Sequence, residues 1–170
     1  MHIAIKMEST MSLKNTPHLN DDEMKRILAE EEVGVLCLSE HDKPYAVPIS
    51  YAYLNGKIVF HCALEGRKLD ILRQNNQATL VVFRHPDRVV PHAEGRCEYR
   101  FESVLVFGYA RIVEDVSERL QLLRQFQEYF YARLHIVDPK PLTEQAAKTC
   151  GCVEITIEEM TGRRKEPGLE

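Results

Sequence analysis

The chain of 170 residues contains no tryptophan, and no apolar run in it approaches the roughly 20 residues a membrane-spanning helix needs. Its longest apolar runs, residues 80–83 and 104–107, are only strand-sized. The first fifteen residues, MHIAIKMESTMSLKN, lack the apolar core of a secretory signal, so a cytoplasmic location is expected. Met1, Met7 and Met11 are all possible initiators. Neither sign of charge dominates: Lys and Arg total 22, Asp and Glu 26, for a net −4 and a pI near 6.0. That balance excludes a strongly basic nucleic-acid binder and leaves room for a local basic pocket. No GxxxxGK[ST] or GxGxxG occurs, which removes the Walker and Rossmann routes to a nucleotide, and no serine sits between the glycines of a nucleophile elbow.

Cysteine is also used in a way that excludes things. The five residues Cys37, Cys62, Cys97, Cys150 and Cys152 are odd in number in a chain with no signal, so a disulfide framework is not expected. Cys150-Gly151-Cys152 has neither a second pair nor a matched histidine, and His85 and His92 lack zinc-ligand spacing. The thiols are expected to be small buried hydrophobes, and no metal is expected.

What is present fits one globular domain: 44% of residues are hydrophobic and 28% charged. It is expected over residues 20–165, behind a flexible segment 1–19 and before a tail 166–170. Asn20 and Glu23 have capping-box spacing ahead of a stripe of Met24, Ile27 and Leu28, which predicts a helix that Gly34 ends. Residues 35–39 form a short strand, and 41–44 a turn. Residues 45–53 alternate, with Tyr45, Val47, Ile49, Tyr51 and Tyr53 on one face and only small residues on the other. Asn55-Gly56 supplies a type I′ turn into a partner strand, residues 57–62. Pro48 lacks a ladder donor, placing this strand at an edge or a bulge. A helix follows over 64–74, then strands over 78–83 and 103–113, the latter interrupted at Gly108. Asp115 and Glu118 open a long amphipathic helix to about Leu134. A short helix to Lys148, a strand over 152–157 and a mobile charged tail from Gly162 complete the chain, with residues 85–100 mostly loop. Six strands in hairpin order with helices between them predict a mainly β fold with flanking helices, a small antiparallel barrel.

The segment His61-Cys62-Ala63-Leu64-Glu65-Gly66-Arg67-Lys68 runs from a strand end into a helix start. Cations in a first helical turn oppose the macrodipole, each at a cost of about 0.3–1 kcal/mol, so Arg67 and Lys68 together suit a bound anion such as phosphate. A solvated pair, partly neutralised by Glu65 and Asp70, is the plainer explanation. His61 is placed to hydrogen-bond a ligand or move a proton near neutral pH, with a purely structural histidine as the alternative.

In order and spacing, several pieces resemble the FMN-binding split-barrel proteins related to pyridoxamine 5′-phosphate oxidase, most of all the nitroimidazole-resistance (Nim-type) and flavin-nucleotide-binding branch. They are Gly34-Val35-Leu36, residues 43–51 (KPYAVPISY), residues 55–61 (NGKIVFH), Gly66-Arg67-Lys68, residues 76–80, residues 102–113 and residues 154–162. The resemblance implies a six-stranded antiparallel split β-barrel that forms a homodimer with FMN at the interface. It places the FMN phosphate on Arg67 and Lys68 and the isoalloxazine ring along Val47, Pro48, Ile49 and Ser50. It puts His61 and Cys62 beside the flavin, matches Ser103 to a polar position of the second barrel block, and makes His61 the catalytic candidate. The basic and aromatic C-terminal residues that true pyridoxamine phosphate oxidases use have no counterpart, which argues against vitamin B6 oxidation. The implied activity is FMN-dependent reduction of a small acceptor such as a nitroaromatic, with NADH or NADPH as donor and neither nucleic acid nor membrane as partner. A non-catalytic flavin-binding or sensing protein and a haem-binding split barrel are the alternatives.

Overall fold

The computed structural model describes residues 18–85, 100–138 and 140–165, together with the backbone of 90–91 and 97–98. Helix α1 (Asp21–Glu30) begins with the reciprocal cap its sequence predicts. Asn20 N donates to Glu23 Oε2 at 2.9 Å, and Glu23 N donates to Asn20 Oδ1 at 3.0 Å. Its buried stripe is Met24, Ile27 and Leu28. The helix ends at Glu30, so Gly34 is not its stop but lies within strand β1 (Val33–Glu40). A Cβ at Gly34 would come within 2.8 Å of Leu80, and close strand packing explains the glycine better than a helix cap does.

His41 and Asp42, both at positive φ, turn the chain tightly into β2 (Lys43–Ser50). Here the structure departs from the expected long hairpin. The alternating run breaks at Tyr51, and only the short β3 (Ala52–Leu54) pairs across Asn55-Gly56 with β4 (Lys57–Cys62), whereas β2 pairs with β1. Tyr51 causes the break: its ring is fully buried, its hydroxyl donates to Leu28 O at 3.1 Å, and its N–H donates to Glu32 O. The partners of Tyr51 are thus on or next to α1, and the chain leaves one sheet edge there and enters the other.

The remaining elements are α2 (Arg67–Gln74), β5 (Gln77–Arg84), the two-residue strands β6 (Val90–Pro91) and β7 (Cys97–Glu98), β8 (Phe101–Ile112), α3 (Val116–Arg133), α4 (Glu144–Thr149) and β9 (Gly151–Lys165). The main sheet is antiparallel in the order β2-β1-β5-β8-β9-β4-β3. It has seven strands where six were expected, because the break at Tyr51 divides one strand into two that become opposite edges. The expected interruption at Gly108 is present: the β8–β9 register shifts between Phe107 and Gly108. A Cβ at Gly108 would lie 2.0 Å from Thr156 O, so no other residue fits without moving β9.

Residues 162–165, expected to be a mobile tail, instead pair with β8. Arg164 holds them there through Glu102 (2.7 Å) and Glu23 (3.0 Å). Residues 86–89, 92–96, 99 and 166–170, on which the expected loop and final tail partly fall, lie outside the described residues, as does the segment 1–17.

Two apolar clusters divide the fold. Inside the curled sheet, Leu36, Phe60, Leu80, Val106 and Ile155 pack with buried side chains of α1 and α2. Outside it, α3 and α4 cover the outer face of β4 and β9 through Val59, Cys152, Leu123 and Phe126. Arg119, only 7% exposed, ties this layer together by donating to the carbonyls of Val113, Ala147 and Glu114. Among the described residues no helix covers the outer face of β1, β5 and β8; Val33, Val35, Phe83, Phe107 and Tyr109 are exposed there. Among the described residues no helix is long and apolar enough to cross a membrane.

Candidate functional site

The corner between β4 and α2 is built by Gly66. At φ 134° it adopts a conformation side-chain-bearing residues avoid, and the helix starts one residue later, at Arg67, rather than at Leu64 as expected. No side chain caps α2, so the positive end of the helix is open, with Arg67 and Lys68 as its first two residues. The tight β1–β2 turn faces this corner. Arg67 Nη2 stands 3.6 Å from Glu40 Oε2, and its guanidinium carbon lies 5.4 Å from the centroid of the Tyr45 ring.

Lys68 is half-buried beside Cys62. Burial pushes the Cys62 thiol up and the Lys68 ammonium partly opposes it, leaving the thiol above its ordinary value. Cys150 is likewise raised by burial, and Cys152 is pushed up to about 12. These thiols stay protonated near neutral pH and are poor nucleophiles. Of the expected buried thiols only Cys152 is fully buried; Cys37, Cys62 and Cys150 are half-buried, and the Cys97 side chain lies outside the described residues.

Strand β2 borders the same corner as a sheet edge, the position its proline calls for. Pro48 and Ser50 are exposed on its small-residue face, while Val47 and Ile49 turn their side chains toward the interior cluster. The exposed face of that edge, Pro44, Ala46, Pro48 and Ser50, carries only small side chains.

His61 and Cys62 alternate to opposite sides of β4. Cys62 packs on the interior cluster, whereas the His61 ring meets Phe126 of α3 edge-on at 5.0 Å. Neither ring nitrogen of His61 has a hydrogen-bond or ion-pair partner among the described residues. Ser103 lies far from the β4–α2 corner along the sheet. It pairs with Phe83 and Arg163 in the ladders, while His61 pairs with Cys152, eleven residues from Arg163 along β9 (163 − 152). At about 3.3 Å per residue that is roughly 36 Å of strand. The structure therefore brings Arg67, Lys68 and Cys62 to one corner bordered by β2, turns His61 toward the helical layer, and leaves Ser103 on the bare outer sheet face. Glu40 and Tyr45 were missed at the sequence level, since nothing local pairs them with Arg67.

A family model described as pyridoxamine 5′-phosphate oxidase matches residues 20–164. An uncharacterized protein of Rhizobium meliloti is 25% identical over 162 residues, covering 85% of this chain and 92% of its own length. Among solved structures, a candidate 5-nitroimidazole antibiotic resistance protein from Bacteroides thetaiotaomicron superposes with a TM-score of 0.72 at 20% identity, covering 89% of this chain and 91% of that one. An FAD-binding protein from Mesorhizobium loti gives 0.66 at 22%, covering 89% and 99%. An FAD- and heme-binding protein from Mycobacterium smegmatis gives 0.76 at 17%, covering 89% and 74%. At these identities the structures establish a shared split-barrel fold.

Proposed function

The chain belongs to the pyridoxamine 5′-phosphate oxidase family, and we propose that it binds a flavin nucleotide, FMN, at the corner between β4 and α2. The observation that carries this reading is the uncapped start of α2 with two cations on its first turn, beside an edge strand whose exposed face is small. Arg67 and Lys68 hold the phosphate with the free N–H groups of the helix start, and the β2 edge from Val47 to Ser50 lies along the ring. Cys62 lines the same strand end. FAD-binding neighbours share the fold and support a flavin here.

The bare outer face of β1, β5 and β8 supports a homodimer. Val33 is 56% and Phe83 50% exposed, and with Val35 and Phe107 they form an apolar surface of the kind that marks an interface. Ser103 lies on that face opposite Phe83, so in such a dimer it points toward the partner, and we infer that it completes the partner's flavin site. That accounts for a residue the family pattern assigns to the site yet one protomer keeps distant from it.

A bound flavin would supply the redox chemistry, hydride transfer from NADH or NADPH and electron delivery to a small acceptor such as a nitroaromatic. The chain orients the partners, and His61, with both ring nitrogens unpartnered, donates a hydrogen bond or proton to the acceptor. Anaerobic addition of NADH and NADPH to the FMN-loaded protein, followed by a nitroaromatic, tests this reading. Bleaching of the flavin bands and their return with the acceptor are expected. Bands that never bleach with either donor assign the protein to flavin binding without turnover.

A further inference from the structure

Between α3, α4 and the end of β4 lies a cavity of about 390 Å³, within the size range of small-molecule pockets. Leu123, Phe126, Phe130, Leu142 and Ala146 make its walls apolar and aromatic. Among the described residues no Asp, Glu, Lys or Arg lines it. Its polar groups are mostly engaged within the protein: Gln127 Nε2 donates to Tyr131 Oη at 2.9 Å and to Lys140 O at 3.2 Å, and Thr149 Oγ1 turns back onto its own helix. The Tyr131 hydroxyl proton and Gln127 Oε1 keep capacity to spare, and His61 on the cavity wall has both ring nitrogens unpartnered among the described residues.

A lining of this kind sets the chemistry of its occupant. Without a countercharge, an ionised ligand loses its hydration and regains nothing. Aromatic walls favour a flat ring stacked or set edge-on. A single free imidazole fixes one end of such a ring by hydrogen bonding to one polar substituent.

We propose that this cavity is a binding site for a neutral aromatic molecule carrying one hydrogen-bond-accepting substituent, held by the Phe126 and Phe130 rings and oriented by His61. The cavity lies on the opposite side of β4 from the flavin corner, so as a binding site it stands without the flavin reading. It makes the helical layer the specificity-determining element, selecting uncharged aromatics over charged ones of the same size.

Equilibrium dialysis of the full chain, with and without added FMN, tests it using 4-nitroanisole and its charged counterpart 4-nitrobenzoate. One 4-nitroanisole per chain is expected whether or not FMN is present, with 4-nitrobenzoate at least tenfold weaker. Ala146→Leu, which places a larger side chain in the cavity, is expected to weaken 4-nitroanisole binding at least tenfold. If that variant loses its cooperative melting transition, Leu142→Phe replaces it with the same expected result. Equal binding of the two compounds, no binding, or full binding by a folded cavity-filled variant overturns the proposal. FMN binding, followed separately by absorbance, distinguishes the failures: 4-nitroanisole binding by a protein that takes up no FMN leaves the cavity standing and removes the flavoenzyme, and FMN uptake without 4-nitroanisole binding does the opposite.

Discussion

Arg67 at the first turn of α2 reaches Glu40 at the end of β1, with 3.6 Å between Nη2 and Oε2, so the strongest candidate for binding an anion is already paired with a carboxylate. The contact is largely exposed, with the two side chains 60% and 27% accessible, and such pairs are worth about 0–1 kcal/mol. A phosphate carrying two charges at an open helix start is the stronger partner, and Glu40 acts as a weak competitor for the site.

Glu40→Gln removes that competitor. FMN affinity is expected to rise about two- to fivefold, the equivalent of a surface pair of up to about 1 kcal/mol. Quenching of free FMN fluorescence on titration with protein measures it. A fall in affinity would make Glu40 a member of the site instead.

His61→Ala is expected to leave FMN affinity within about twofold and to lower the reductase rate by about 10²-fold, the lower end of what a positioned general acid contributes. Flavin titration and steady-state turnover with a nitroaromatic separate the two effects. An unchanged rate returns His61 to a structural role against Phe126.

Val35→Lys with Phe83→Lys charges the bare outer sheet face without touching the interior. Wild-type protein is expected to scatter light as twice the chain mass, and the double variant as a single chain. FMN affinity falls with the dimer because Ser103 is then withdrawn from the neighbouring site. A variant that remains dimeric places the interface elsewhere.

Acid sensitivity has a definite sign at Glu102. Burial raises its carboxyl, but hydrogen bonds from Arg164 and Arg84 outweigh that and hold it below the ordinary carboxylate value. A group depressed in the folded state contributes stability above its unfolded value, near pH 4.3, and loses it as pH falls through the lower folded value. Glu102→Gln is therefore expected to be less stable by roughly 1 kcal/mol at pH 7, since each arginine keeps a second carboxylate. The gap between the urea midpoints of wild type and variant closes below about pH 4. A gap that widens in acid would show the sign to be wrong.

Features set by neighbours three or four residues away were legible in the sequence. The Asn20–Glu23 cap, the Asn55-Gly56 turn and the edge position of Pro48 follow from local chemistry, and so does the cost of Arg67 and Lys68 at a helix start. What failed depended on distant partners. The alternation of residues 45–53 carries no mark of a break at Tyr51, which exists because Leu28 and Glu32 receive its hydroxyl and its N–H. Arg164 reads as part of a charged tail until Glu102 and Glu23 are seen beside it. The Glu40–Arg67–Tyr45 contact and the cavity beside His61 are created by the packing of elements far apart in the chain, so no spacing rule could have found them.

The phosphate corner is the center of this account, and FMN titration of the wild type beside the Arg67→Ala/Lys68→Ala double variant tests it most directly. If both side chains make charge-assisted bonds of about 1.5–3 kcal/mol each, the folded double variant loses FMN affinity by on the order of 100-fold or more, while the wild type shows the flavin absorption bands. Undiminished affinity in the folded double variant, or a wild type that takes up no FMN, would contradict it.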